Sequence, residues 1–185
     1  MIEAGELRPG AKIELNEGLF EVVDCNFLKM AMAKGLMRTK LRNLETGATI
    51  ERTFSSVEKL KDAYVEGRKM QYVYASGDER VFMDLETFDQ MSLSEKIIGD
   101  GVKWLKDGIE VEVDMYQGRP VAVRLPNFVE LRIVETDPGL RGDTVSGGSK
   151  PAKLETGAVV SVPLFVEQGT VIKVDTRSGK YLGRA

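Results

Sequence analysis

Histidine is absent from the 185-residue sequence, and its absence excludes several kinds of chemistry. A Ser-His-Asp triad, a Cys-His dyad and an imidazole metal ligand all need this side chain. Asp137, Asp143 and Asp175 carry carboxylates in predicted loops, but they lack the regular spacing of a calcium-binding loop. No glycine-rich stretch has the lysine and hydroxyl of a phosphate-gripping loop. We therefore expect a protein that is not an enzyme and holds neither a metal nor a cofactor.

Cysteine is nearly absent, and long apolar runs are missing altogether. The single cysteine, Cys25, excludes an internal disulfide and any metal site built from several cysteines. No apolar run approaches the roughly 20 residues that a membrane span needs. The first ten residues lack the basic start and the apolar core of a secretory signal. We expect a cytoplasmic protein that makes no contact with membranes.

Neither sign of charge is in large excess, since the net charge is −3. This balance argues against a simple nucleic-acid coat. The stretch from Cys25 to Leu44 nevertheless contains no acidic residue. Its basic residues are Lys29, Lys34, Arg38, Lys40 and Arg42. Such a local basic face is compatible with docking onto RNA, and an ordinary solvated strand face explains the same pattern equally well.

Short β-rich runs separated by turns are present along the whole chain. Several alternate polar and apolar residues, as antiparallel strands with one wet face do. The predicted strands cover residues 12–15, 19–27, 36–44, 49–54, 69–75, 80–83, 104–105, 109–115, 121–125, 128–135, 158–162, 170–175 and 180–183. Two helical elements are expected, a turn at 56–61 and a helix at 88–98 capped by Ser92 or Ser94. The remaining long segment, 136–153, is rich in glycine and proline and is predicted to be a loop.

The spacing of these runs predicts an all-β architecture of three successive small β-barrels. We place the domains at residues 1–64, 65–127 and 128–185, and the middle one has the strand spacing of an OB-fold. The sequence L-E-T-G-A occurs at 44–48 and again at 154–158, each time before a β run. Two similar hairpin turns explain this echo as well as an internal duplication does.

The pattern also predicts where several side chains lie. Trp104 and Phe128 are expected in the cores, because large aromatic side chains are mostly buried. Glu110, Glu112 and Asp114 alternate along one predicted strand, so they are expected on its solvated face. No paired acid and base is expected among them.

The segment from Lys29 to Gly35 interrupts two predicted strands. It alternates small and long flexible side chains, which is poor strand chemistry, and Gly35 permits backbone angles that other residues resist. We predict a hairpin tip that projects from its barrel. The residues of this tip are Lys29, Met30, Ala31, Met32, Ala33, Lys34 and Gly35.

Several motifs resemble those of the bacterial elongation factor P family. The longest is K-P-A-K-L-E-T-G-A-V-V-S-V-P-L-F-V-E-Q-G at residues 150–169. The others are T-D-P-G-L-R-G-D-T-V-S-G-G at 136–148, V-F-M-D at 81–84, R-T-K-L at 38–41 and V-D-T-R-S-G-K-Y-L at 174–182. The resemblance extends over the whole chain, and the first motif is long enough to be highly specific.

The resemblance implies a fold and a function. The fold is an N-terminal SH3-like (KOW-like) barrel followed by two OB-folds, in an L-shaped arrangement with the outline of a transfer RNA. The function is that of a translation elongation factor that binds the ribosome between the peptidyl and exit sites. There it would stimulate peptide-bond synthesis, notably at runs of proline, by positioning the acceptor end of the peptidyl-tRNA. The implied partners are ribosomal RNA, ribosomal proteins and peptidyl-tRNA, and a monomer is expected.

The resemblance also implies roles for individual residues. The hairpin tip would reach toward the peptidyl-tRNA, while Arg38 and Lys40 would contact RNA phosphates. Tyr181 and Arg184 would lie on the RNA-facing side of the third domain. The loop residues implied to lie near the small subunit and the exit-site codon are Gly142, Asp143, Thr144, Gly147 and Gly148.

The apex of the tip departs from the family pattern. Much of the family carries a lysine or arginine there that is enzymatically extended, whereas ungapped counting from both flanks places Met32 at that position. Methionine cannot receive such a modification, so we expect an unmodified apex. Lys34 or Lys29 could take over only through a shifted loop.

Two alternative functions stay open on the sequence. One is the elongation factor P-like paralogue, whose third-domain loop differs; G-D-T-V-S-G-G favours the factor itself. The other is a general RNA-binding or ribosome-assembly protein.

Overall fold

The computed structural model describes residues 1–29, 35–139 and 148–185, and within them strands dominate. These residues form three antiparallel sheets, which confirms the all-β prediction. The chain divides into two compact units, one made of Met1–Arg68 with Val113–Val123 and the other of Lys69–Glu112 with Arg124–Ala185. We call them the first and the second unit. The three-domain boundaries stay a prediction.

The first sheet has six strands in the order β1-β6-β2-β3-β4-β5. Its strands are β1 (Ile2–Glu3), β2 (Lys12–Leu15), β3 (Gly18–Leu28), β4 (Leu36–Asn43), β5 (Thr49–Ser55) and β6 (Lys59–Asp62). A 3₁₀ turn at Ala4–Glu6 follows β1. In β4 the side chains alternate strictly, so that Met37 and Leu41 enter the core while Arg38 and Arg42 stay outside. Phe20, Val22 and Phe54 complete the centre of this core.

The predicted helical turn at 56–61 is wrong, because Lys59–Asp62 is a strand. Leu60 is buried between the exposed Lys59 and Lys61, which is the period of two that a strand produces. The strand pairs with both β1 and β2, and it therefore lies inside the sheet.

The second sheet has the order β11-β10-β7-β8-β9. Its strands are β7 (Glu66–Ser76), β8 (Glu79–Asp84), β9 (Gln90–Ser94), β10 (Glu110–Tyr116) and β11 (Arg119–Arg124). A short helix at Glu95–Ile98 and a 3₁₀ segment at Gly99–Trp104 follow β9. The helix predicted at 88–98 is thus wrong over β9, which pairs along its length with β8. Ser94 does hold the N-cap position, although its side chain makes no capping hydrogen bond.

The third sheet has the order β14-β13-β12-β15-β16, which is the strand order of an OB-fold. Its strands are β12 (Phe128–Thr136), β13 (Ser149–Leu154), β14 (Val159–Pro163), β15 (Val171–Asp175) and β16 (Tyr181–Arg184). The loop predicted at 136–153 is wrong over β13. This strand tolerates Pro151 because β12 ends at Thr136, opposite Ala152, so no partner needs an N–H from the proline.

The structure tests the burial that the sequence predicts for three side chains. Trp104 is buried as predicted, but residues 104–105 are not a strand, because Trp104 ends the 3₁₀ segment Gly99–Trp104. Phe128 is 44% exposed, contrary to prediction, and the ammonium of Lys173 lies 3.6 Å from its ring centroid. Asp114 is also not on a solvated face, because Val113 to Met115 are buried in succession.

The first L-E-T-G-A segment, residues 44–48, lies in a turn that recurs elsewhere in the chain. The second segment, residues 154–158, does not form this turn. Asn43, Asp84 and Asp175 each accept hydrogen bonds from the backbone N–H groups two and three residues ahead, at 2.8–3.1 Å. Each of these turns ends at a residue with positive φ: Gly47, Gly179 and, in the middle one, Phe88 at +61°. Residues 154–158 lack the side-chain acceptor, since lysine precedes them.

Candidate nucleic-acid interface

The predicted hairpin tip lies between two strands that pair up to its base. β3 and β4 are antiparallel, and their last pair joins Leu28 with Leu36. Lys29 is exposed directly after this pair, and Gly35 is half-buried directly before it. Residues 30–34, which include Met32 and Lys34, lie outside the described part of the chain. The described strands thus support a hairpin whose connection is the segment 29–35.

Gly35 is packed between two neighbours at the base of the hairpin. A Cβ atom at this position would lie 2.8 Å from Cε2 of Phe27, closer still to Cζ, and 3.2 Å from Oγ of Ser56. The carbonyl of Gly35 also accepts a hydrogen bond of 2.8 Å from the N–H of Ser56. The ring of Phe27 therefore lies against the backbone where β4 begins, and a side chain at residue 35 would have to displace this ring.

The basic row of β4 lies beside acidic side chains of neighbouring strands. Arg38 donates a 2.7 Å hydrogen bond to Glu51 of β5, and Arg42 pairs with Glu21 of β3. The hydrogen bond from Arg38 lowers the pKa of Glu51 and raises that of Arg38 itself. Lys40 stands in register with Glu51 on one side and with Asp24 on the other. The outer face of β4 is consequently of mixed charge, although residues 25–44 contain no acid.

Residues of β10 and β11 join the first unit through a polar network. The hydroxyl of Tyr116 donates a 2.6 Å hydrogen bond to Oε2 of Glu14, which also lies 2.5 Å from Nζ of Lys61. The hydrogen bonds from Lys61 and then Tyr116 lower the pKa of Glu14, and the bond to Glu14 raises the pKa of Tyr116. Leu19, Ala63 and Val121 form an apolar cluster within the same unit, so both kinds of contact hold residues 113–123 in the first unit.

The third sheet carries the remaining predicted RNA-facing residues. Tyr181 is half-buried and packs on the core of the sheet, while Arg184 is exposed with its guanidinium carbon 5.1 Å from the ring centroid of Phe165. Gly148 is the described end of the predicted loop, and a Cβ there would lie 2.8 Å from Cδ1 of Leu164. The other loop residues named from the sequence, Gly142, Asp143, Thr144 and Gly147, lie outside the described residues.

Three family models together match nearly all of the chain. They are the elongation factor P KOW-like domain over residues 3–60, the elongation factor P OB domain over 65–123 and the elongation factor P C-terminal domain over 129–184. The chain belongs to the elongation factor P family.

Full-length relatives agree with the family models. The chain is 55% identical to "Elongation factor P" of Thermus thermophilus over 185 residues, covering 100% of both sequences. It is 49% identical over 184 residues to the protein of the same name from Coprothermobacter proteolyticus, covering 100% of this chain and 99% of the relative. The resemblance on which the sequence-based interpretation depended is thus confirmed.

Solved structures of a second group of proteins share the fold. "Eukaryotic translation initiation factor 5A from Methanococcus jannaschii" has a TM-score of 0.55 and 23% identity, covering 66% of this chain and 92% of that one. An initiation factor 5A family protein from Naegleria fowleri has a TM-score of 0.54 and 17% identity, covering 67% and 96%. These likenesses concern the fold alone.

Two further features of the described residues concern metal binding and membrane spans. Among residues 1–29, 35–139 and 148–185, cysteine, aspartate and glutamate form no group of three or more that could hold a metal ion. Asp175, a weak metal candidate in the sequence, is engaged in its own turn: hydrogen bonds from Arg177 and from the N–H of Ser178 hold its pKa far below the usual range. No helix in the described segments is long and apolar enough to cross a membrane.

Sequence reasoning missed two residues that belong to these surfaces. The sequence predicts Phe27 only as the end of a strand, whereas its ring lies against Gly35 at the base of the tip. In the sequence Phe165 is only one letter of a family motif, whereas in the structure it is 63% exposed beside Arg184. An aromatic residue in the short connection after Pro163 was the one available signal for Phe165.

Proposed function

We propose that this chain is a translation elongation factor that binds the ribosome between the peptidyl and exit sites and stimulates peptide-bond synthesis, notably at consecutive prolines. The observation that carries the proposal is the match to family models over all three segments of the chain, together with full-length relatives of the same name. The partners are ribosomal RNA, ribosomal proteins and peptidyl-tRNA. We further propose that the factor acts in the cytoplasm as a monomer.

The mechanism we propose is positioning without catalysis by the factor. Holding two reacting groups in a productive geometry accelerates their reaction through entropy already lost on binding, and this needs no general base. A chain without histidine suits such a role. The well-paired strands β3 and β4 support it too, because a rigid hairpin can present its tip at a fixed place.

The apex of the tip is proposed to work without modification. Met32 offers a flexible, polarisable side chain that packs against irregular surfaces, and backbone groups around it can contact the end of the tRNA. Intact-mass measurement of the protein from its native cells tests this. An added mass that maps to Lys34 or Lys29 would show that a shifted lysine carries the modification instead.

Depletion of the protein followed by ribosome profiling tests the function itself. We expect ribosomes to pause at runs of proline, with pauses relieved when the chain is restored. Accumulated precursors of the ribosomal subunits, without proline pauses, would favour the ribosome-assembly role and contradict the proposal. Turnover of a substrate by the purified protein without ribosomes would contradict the non-catalytic mechanism.

A further inference from the structure

A lysine occupies a core-facing position of the third sheet. The side chains of β13 alternate strictly, and the buried ones are Lys150, Ala152 and Leu154. Lys150 is 7% exposed, and its register partner on β14 is the equally buried Val162. Burial of an ammonium group costs free energy unless a hydrogen bond compensates for it, so lysine is almost never buried without a partner.

The partner of this ammonium is the chain that leaves β12. Nζ of Lys150 donates a 2.6 Å hydrogen bond to the carbonyl oxygen of Asp137, the residue directly after β12. Oγ1 of Thr136 donates a 2.9 Å hydrogen bond to the carbonyl oxygen of Pro151. The two bonds run in opposite directions, one from β13 and one from β12. They hold the chain beside β13 at the point where the ladder ends, because Thr136 opposite Ala152 is its last pair.

Leu164, directly after β14, contacts both described ends of the connection between β12 and β13. A Cβ at Gly139 would lie 2.5 Å from the carbonyl oxygen of Leu164, and one at Gly148 would lie 2.8 Å from its Cδ1. The N–H of Leu164 also donates a 3.3 Å hydrogen bond to the carbonyl oxygen of Gly148. Both ends of the connection are therefore packed against one residue, and Lys150 holds the first of them a second time through Asp137.

Leu164 also lines a groove of about 760 Å³ in the second unit. We call it the β14–β16 groove, because it runs beside β14 and β16, the two edge strands of the third sheet. Its other principal side chains are Val162, Pro163, Phe165, Lys180 and Tyr181, and none of the described residues that line it is acidic. Gly148 and Ser149 line it too, so the connection between β12 and β13 ends at this groove.

We propose that Lys150 is a positioning residue for the connection between β12 and β13. Its ammonium holds the chain at Asp137, so that the connection leaves the sheet from one fixed place. An apolar side chain would fill the same core position without this bond, and the lysine therefore serves placement and not packing. The inference rests on the proposed function, for which the family resemblance puts residues of this connection near the small subunit. Lys150 itself is buried and acts through the chain that it holds.

Lys150→Met tests the proposal, because methionine keeps an unbranched side chain and removes the ammonium. In the isolated full-length chain, NMR should show a shifted carbonyl-carbon resonance of Asp137 and lower N–H order parameters at Asp137 and Gly139. The urea midpoint should stay at or above that of the unaltered chain, because Asp137 is exposed and its carbonyl can bind water instead. Affinity for purified ribosomes should nevertheless fall about fivefold, since about one more backbone residue must be ordered on binding.

Lys153→Met is the matched control. Lys153 lies on the same strand and carries the same charge, but its side chain is exposed on the opposite face. This variant should leave the resonance of Asp137, the order parameters and the ribosome affinity nearly unchanged. An equal loss of affinity in the two variants would show that charge alone is responsible, and would overturn the proposal.

Two further results would also overturn it. One is normal ribosome binding by Lys150→Met, and the other is unaltered order parameters at Asp137 and Gly139 in this variant. Failure of the proposed function looks different, because the unaltered chain itself would then not bind ribosomes. The NMR measurements on the isolated chain decide in either case whether Lys150 holds Asp137 in place.

Discussion

The outer face of β4 and the β14–β16 groove both carry arginine, but the strands beside them give the two surfaces different electrostatic characters. On β4, Arg38 and Arg42 point outward and each already has a carboxylate partner from a neighbouring strand. At the groove, Arg184 lies over an aromatic ring, and the described lining holds no acid. Charge along the sequence is therefore a poor guide to charge on the surface. The pairing of strands decides which cations have a carboxylate partner.

If the face of β4 is largely neutralised, the hairpin must act mainly through its apex, and a charge there should have the largest effect. Met32→Asp places a carboxylate where we propose contact with the tRNA end, so repulsion from phosphates and lost packing should reduce proline-specific stimulation about tenfold or more. Rates of prolyl-proline bond formation on purified ribosomes measure this. Met32→Leu is the control and should stay close to the unaltered chain. Normal rates with Met32→Asp would show that the apex is not the working part.

The base of the same hairpin provides the next largest effect. Gly35→Ala brings its Cβ against the far end of the Phe27 ring, which is 53% exposed and must turn aside, so the cost in unfolding free energy should lie near the low end of the about 1–3 kcal/mol that overpacking takes. Urea denaturation measures the cost, and ribosome binding with proline stimulation measures its consequence. The double variant Phe27→Ala/Gly35→Ala makes room for the new methyl group. Gly35→Ala should therefore cost less stability in the Phe27→Ala background than in the unaltered chain. An equal cost in both backgrounds would show that the ring is not the obstacle.

Removal of single charges compares the two surfaces directly. Arg38→Gln should weaken ribosome affinity less than about twofold, because Arg38 is already paired with Glu51 and exposed ion pairs exchange at little cost. Arg184→Gln should weaken it about three- to fivefold and reduce its salt dependence, since a phosphate contact releases counterions. Glu51→Gln should strengthen binding slightly by freeing Arg38. Ribosome affinities measured at two salt concentrations test these expectations. A larger loss of affinity for Arg38→Gln than for Arg184→Gln would contradict the comparison.

The smallest expected effect concerns the turn that leads into the groove. Hydrogen bonds from Arg177 and Ser178 lower the pKa of Asp175 in the folded chain, so its stabilisation is present above the unfolded pKa of about 3.9 and is lost as pH falls further. Asp175→Asn keeps an acceptor of the kind that Asn43 provides in the first unit, and removes only the charge. The urea midpoint of Asp175→Asn should lie below that of the unaltered chain at pH 7, with a smaller gap at pH 3. A gap independent of pH would exclude the carboxylate charge as its cause.

Much of the fold could be predicted because alternation is a local property. The residues L-M-R-T-K-L-R-N predict the two faces of β4 correctly, and most strands lie within a few residues of their predicted bounds. The predictions are wrong where the alternation of apolar residues and the residue types of a segment point to different secondary structures. The serines and apolar residues of Q-M-S-L-S suggested a capped helix, and Pro151 suggested a loop. In both cases pairing with a neighbouring strand decided the outcome.

The candidate site was less predictable, because it depends on contacts between residues distant in sequence. Glu51 and Glu21 reach the β4 arginines only through strand register. Phe165 follows β14 and Arg184 lies in β16, so the two side chains meet only in the folded sheet. The residue pattern predicts the hairpin tip, and the resemblance adds the role of this tip and of the C-terminal residues, whereas the groove between β14 and β16 is visible only in the structure.

The most direct test of the account is the rate of prolyl-proline bond formation on purified ribosomes, with the chain produced in cells that lack the tip-modifying enzymes. We predict that this unmodified chain accelerates the reaction, whereas it leaves bonds between other residues nearly unchanged. An unchanged rate at saturating factor would contradict the central claim that positioning by an unmodified hairpin is sufficient.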